Sequence, residues 1–147
     1  MRSDSINIAL LVHIVGAMVL VGGLVTAATA AIVGWRDEAA TLQRFSYWTL
    51  LAVGLPGYIV MRIGAQWTAS KEHLDNLPDD PAWLGIGYIT ADGGAVLMLV
   101  ALILGGIGVR RSRNGSGGGW LKASSVIATL LVAVYVVSVW AMGAKPA

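Results

Sequence analysis

Residues 6–33 read INIALLVHIVGAMVLVGGLVTAATAAIV, a run without a single Asp, Glu, Lys or Arg. A helix needs about 20 apolar residues to cross the hydrocarbon core of a bilayer, so this run is long enough to span it. Its one ionisable side chain, the imidazole of His13, then lies inside the membrane. Three further stretches read the same way: Leu84 to Val109 carries only Asp92, Ala123 to Gly143 carries no charge, and Phe45 to Trp67 carries only Arg62. In lipid a chain must satisfy its backbone internally, which leaves helices as the element that such runs form. The expected fold is therefore all-α: an antiparallel four-transmembrane-helix bundle with short loops, its spans at 6–33, 45–67, 84–109 and 120–143. The connections, about 10 to 16 residues long, are too short to hold a separate domain. Residues 1–147 are expected to form one integral membrane domain.

Composition agrees with this layout. Of 147 residues, 56% are hydrophobic and 12% charged, against roughly a quarter charged in a soluble domain. Indole rings favour the headgroup level. Trp35, Trp48 and Trp120 fall at one set of helix ends, and Trp67, Trp83 and Trp140 at the other. Ala28-Thr29-Ala30 resembles a signal-peptide cleavage site, but the apolar run is too long and Asp4 offsets Arg2, so the first run is read as a span.

Short loops rich in Lys and Arg stay on the cytoplasmic side. One face holds Arg36, Arg44, Arg110, Arg111, Arg113 and Lys122, and the other Arg2, Lys71 and Lys145, with Arg62 as a further candidate there. Both termini are therefore expected outside. The loop from Ser70 to Pro81 becomes an acidic external loop in which Asp80 caps the third span and Pro81 opens it. The connection from Arg110 to Gly119 becomes a basic, glycine-rich cytoplasmic tether whose arginines read as topology determinants in preference to contacts with anionic lipid.

There is no cysteine, hence no disulfide, thiolate metal site or redox thiol. Phosphate-binding loops, paired-His zinc motifs, nucleophile elbows and nucleic-acid-binding motifs are absent as well. Chemistry is left to the polar groups inside the spans, where an ionisable residue is expensive and points to function. These are His13, Arg62 and Asp92. At about 1.5 Å per residue all three fall roughly 7 to 13 Å below one interface. Tyr58 shares a helix face with Arg62, and Tyr88 with Asp92, because positions four apart are neighbours. Tyr135 and Ser138 reach the same level on the fourth span. A polar pocket in the outer half of the bundle follows from these depths.

Each of these residues has two readings. Arg62 and Asp92 either form an ion pair locking the second span to the third or, with His13, carry protons. Arg62 can alternatively snorkel to the headgroups. His13 makes an interhelical hydrogen bond or ligates a metal or heme iron. Met61, Met98, Met142 or the His13 of a second copy are the candidates for a second heme ligand. Met61 and Met142, on the same side as His13, are the thioethers for copper, a weaker option. Otherwise they fill gaps in the packing. His73 beside Glu72 and Asp75 reads as a solvated loop in preference to an external metal site. Gly23, Ala27 and Ala31 form a small-residue stripe, for packing within the chain or against a second copy. Pro56 is expected to kink the second span a turn or two before Arg62.

The first span, with Leu11-Val12-His13-Ile14-Val15-Gly16-Ala17 followed by Val21-Gly22-Gly23-Leu24, resembles the opening of bacterial four-helix integral membrane proteins grouped near the copper-resistance D proteins. More distantly it is similar to the heme-binding membrane protoporphyrinogen oxidases. The resemblance implies a four-helix core, the bacterial cytoplasmic membrane and a heme- or metal-ligating role for His13. Asp92 departs from the basic residue that the oxidase-like proteins would place in the third span. The expected function is heme- or metal-binding, with heme b as the cofactor, His13 as ligand, and Arg62, Tyr58 and Tyr88 lining the site. The alternatives are a small proton-coupled transporter using His13, Asp92 and Arg62, and an accessory subunit. Expected partners are the lipid bilayer and a second copy or another membrane protein.

Overall fold

The computed structural model describes residues 4–73, 82–115 and 118–144. Among them the structure is helical throughout and contains no strand. The elements are α1 (Asp4–Arg36), α2 (Ala40–Thr49), a π-helical turn (Leu50–Gly54), α3 (Leu55–Glu72), α4 (Ala82–Ser112) and α5 (Gly118–Gly143). Four continuous rods result, each long and apolar enough to cross a membrane: Ile8–Arg36, Ala40–Lys71, Gly85–Ser112 and Gly118–Ala141. The second rod runs unbroken through α2, the π turn and α3.

Most helix ends lie two to five residues beyond the expected spans, because polar residues also continue a helix, whereas α5 ends at Gly143 as expected. The largest correction is at the first connection, where only Asp37 to Ala39 separate α1 from α2. Gly34 makes this tight return feasible, since a Cβ there would come within 2.9 Å of Leu42 Cβ. Its carbonyl accepts from the Ala39 N–H at 2.8 Å and from Gln43 Nε2 at 3.3 Å. Glu38 takes a left-handed conformation, φ 52°, to turn the chain. The proposed cap at Asp80 and Pro81 lies outside the described residues.

α1 packs along the whole second rod, α4 along α5, and α1 also against α5. Between the first two rods, Gly34 lies on Gln43, Ala27 on Ser46, Gly23 on Val53, Leu20 on Gly57, Gly16 on Met61 and His13 on Gly64. The third and fourth pair through Gly94 with Tyr135, Ala101 with Ser124 and Gly108 with Leu121. Leu20, Leu24, Ala27, Leu50, Met61, Met98, Ala101, Leu131 and Tyr135 form the shared core. Ala27 and Ala31 are fully buried within the chain, so the small-residue stripe of the first span serves internal packing.

The mid-span proline acts through the π turn. Proline has no N–H, and its ring crowds the carbonyl four residues back, here Ala52. The helix widens just before it, so that the Leu55 N–H reaches Leu50, five residues back. Such widened turns recur at functional positions in helices.

Trp35, Trp48, Trp67, Trp120 and Trp140 are all exposed on the outside of the rods. The side chain of Trp83 lies outside the described set.

Candidate functional site

His13 sits where the first two rods come closest. A Cβ on Gly64 would overlap the His13 backbone nitrogen and Cα, and one on Gly16 would overlap Met61. One turn further along, a Cβ on Gly57 would come within 2.7 Å of the Leu20 nitrogen. Backbones thus touch directly, as small residues permit within a bilayer. Carbonyls point toward the C-terminal end of a helix, so the Met61 oxygen reaches the level of Gly64. There it lies 3.0 Å from His13 Nδ1. A carbonyl only accepts, so Nδ1 carries the proton and donates. The other ring nitrogen, Nε2, is left as a lone-pair donor with no partner among the described residues.

That arrangement is how histidine ligands are commonly prepared: one ring N–H bonded to a carbonyl, the opposite nitrogen free for the metal. The imidazole is half-buried, flanked on its own helix by the exposed side chains of Leu11 and Ile14. Met61 offers its carbonyl to His13, while its thioether is buried in the shared core. The side chain of Met142 lies outside the described set. Among the described residues no three His, Asp or Glu side chains gather into a metal cluster. His73, in a left-handed conformation at the end of α3, is exposed.

Arg62, Tyr58, Tyr88 and Asp92 do come together, between α3 and α4. Arg62 pairs with Asp92 at 2.8 Å, and its guanidinium lies 5.9 Å from the centre of the Tyr88 ring. The Tyr58 hydroxyl donates to the Ala91 carbonyl at 3.1 Å. α3 and α4 have few backbone approaches, so these side chains form much of the link between the second and third rods at this level. The Asp92 side chain is 67% exposed and that of Arg62 28%, placing the pair at the edge of the bundle. Among the described residues His13 makes no hydrogen bond or ion pair with either of them.

Behind this link stands Tyr135, only 5% exposed. Its ring and hydroxyl lie against Gly94, where a Cβ would come within 2.5 Å of the oxygen. The hydroxyl is buried and has no hydrogen-bond partner among the described residues. Ser138 is buried one turn further along.

Two features of the site escaped the sequence. The Met61 carbonyl is a main-chain atom, which no residue pattern announces. The seven-residue spacing of Gly57 and Gly64 was a readable sign of close packing, but it does not say which helix lies opposite. The chain matches no known family model, no curated protein and no solved structure.

Proposed function

We propose that this chain is an antiparallel four-helix protein of the bacterial cytoplasmic membrane that binds heme b, or a metal ion, through His13 and serves in electron transfer. The observation that carries this reading is the 3.0 Å bond from His13 Nδ1 to the Met61 carbonyl, which fixes the ring and leaves Nε2 available. The His- and Gly-containing opening of α1, similar to that of the copper-resistance D-like proteins, points the same way. The antiparallel arrangement is supported by the pairings, in which residue numbers rise along one rod as they fall along its neighbour. The excess of Lys and Arg at the end bearing Arg36 and Arg110 supports a cytoplasmic position for that end, with both termini outside.

Bound heme would supply a one-electron iron couple. The chain's own contribution is positional. Gly64 lets the backbones approach, Met61 sets the imidazole's tautomer, and the rings of Tyr58 and Tyr88 stand near Arg62. A propionate would share Arg62 with Asp92, since guanidinium can bridge two carboxylates. One His per chain would supply one ligand to the iron; the Met61 thioether is buried in the shared core, which leaves Met142 or His13 of a second copy to supply another. Copper(I), which favours imidazole with thioether, is the lesser candidate.

A second reading rests on the ion pair. Arg62 and Asp92 clasp the second and third rods, so a proton-coupled transporter or a non-catalytic accessory subunit would use the same geometry. The deciding experiment is an absorption spectrum, oxidised and dithionite-reduced, of detergent-purified protein from heme-supplemented cells, beside His13→Ala. The heme reading expects a Soret band that His13→Ala abolishes or weakens. A colourless wild type, or a band indifferent to His13→Ala, would favour the transporter or accessory reading, which proton flux in liposomes then separates.

A further inference from the structure

A second constellation lies at the opposite end of the rods from His13 and is independent of any role for it. Three helix ends converge there. Gly108 of α4 is packed on Leu121 of α5, within 2.8 Å of its Cγ if a Cβ were present, which sets Arg110 and Lys122 within about one helical turn of each other along the rods. The ammonium of Lys122 lies 5.8 Å from the centre of the Trp35 ring, which ties α5 to the end of α1 and to the neighbouring Arg36. Arg111 lies over the Trp120 ring at 5.3 Å.

This end gathers Arg36, Arg44, Arg110, Arg111, Arg113 and Lys122, against only Asp37 and Glu38. Arg36, Arg110, Arg113 and Lys122 are exposed and form no ion pair with another described residue; the half-buried Arg44 donates only to its own helix, at Ala40. Asp37 and Glu38 sit on the turn between α1 and α2, and they too are without an ion-pair partner among the described residues. Trp35 and Trp120 hold two of the cations on their ring faces, and indole rings settle at the headgroup level. Of these two, Lys122 is without an ion-pair partner among the described residues, and a cation fixed beside an indole at that depth meets lipid phosphates.

We propose that the junction of α1, α4 and α5, at Arg36, Lys122, Arg110 and Arg113, is a binding site for an anionic phospholipid. Charge complementarity selects the ligand: a lipid headgroup with net negative charge neutralises this end, whereas a zwitterionic headgroup brings its own cation. Lys122 on Trp35 supplies a fixed ammonium, and the arginines supply forked donors for the phosphate oxygens.

The test is native mass spectrometry of the full chain given equimolar phosphatidylglycerol and phosphatidylcholine. The wild type should retain phosphatidylglycerol preferentially, and Lys122→Gln and Arg36→Gln should each reduce that preference about fivefold, the usual effect of one cation near an anionic surface. Lys71→Gln, at the opposite end, should leave it unchanged, and Arg36→Lys should restore most of it. Arg113→Gln, on an exposed residue beyond α4, serves if Lys122→Gln fails to fold. Equal retention of the two lipids by the wild type would overturn the proposal. So would an equal loss in Lys71→Gln, or displacement of the lipid by soluble glycerol phosphate at the same concentration.

Discussion

Glycine 64 and the histidine it faces make the most exacting contact in the molecule. Gly64→Ala must push α1 off α3, because the added methyl meets His13 backbone, which cannot rotate aside. The expected cost is about 1 to 3 kcal/mol, read by unfolding in mixed micelles, with loss of any signal that depends on the His13 ring. Gly16→Ala should behave alike. Gly22→Ala and Gly93→Ala have nothing within 4 Å of the new methyl and should be neutral or slightly stabilising. Tyr135→Phe removes a hydroxyl that is buried without a partner among the described residues. Stability should hold or rise, by up to about 1 kcal/mol; a clear fall in the same melt would mean the hydroxyl has a partner in the membrane. The polar residues themselves were legible, because an ionisable group stands out in an apolar run and helical rise gives its depth. The Arg62–Asp92 pair, one of the two readings offered for those residues, is present. What each residue leans on was less legible, since the partner of His13 is a main-chain oxygen.

Between elements, hydroxyl groups link rods that hydrophobic packing alone would leave free to slide. Ser46 donates to the Ala27 carbonyl at 2.6 Å, and Ser124 to that of Ala101 at 2.7 Å. Such bonds in bilayers average about 0.6 kcal/mol and reach about 1.7. Ser46→Ala and Ser124→Ala should each destabilise within that range, and because they fasten different pairs of rods their effects should add. A double-mutant cycle on Arg62→Gln and Asp92→Asn should give a coupling above that range, because a pair whose exposed side faces lipid is not screened as a water-facing one is. Both couplings are measurable in the same micelle titration. The sequence announced each rod through a long apolar run with at most one charge but placed most of the ends two to five residues short, the end of α5 at Gly143 being the exception. The charge of Arg44 marked the start of the apolar run at Phe45, whereas the helix begins at Ala40. Pro56 was legible as a disturbance; that it takes the form of a widened turn depends on packing around Leu50 and Gly54, both buried.

For the molecule as a whole, the absence of cysteine makes orientation directly measurable. A single cysteine at Gly115 should be shielded from a membrane-impermeant maleimide added to intact cells, and one at Ala144 should be labelled. The opposite pattern would invert the proposed topology and move the basic junction to the outer leaflet. Four spans and their order were legible because each run exceeds the hydrocarbon thickness. Which rods touch was not, because lipid-facing and partner-facing surfaces are equally apolar. The glycine contacts have a consequence for how the protein is made. Gly16, Gly57 and Gly64 join the first rod to the second using residues from those two rods alone, and Gly94 with Tyr135 does the same for the last two. The contacts of the first hairpin need nothing from the third and fourth rods. The chain is therefore expected to enter the bilayer as two successive hairpins, with Arg62 waiting for its counter-charge until Asp92 arrives with the second.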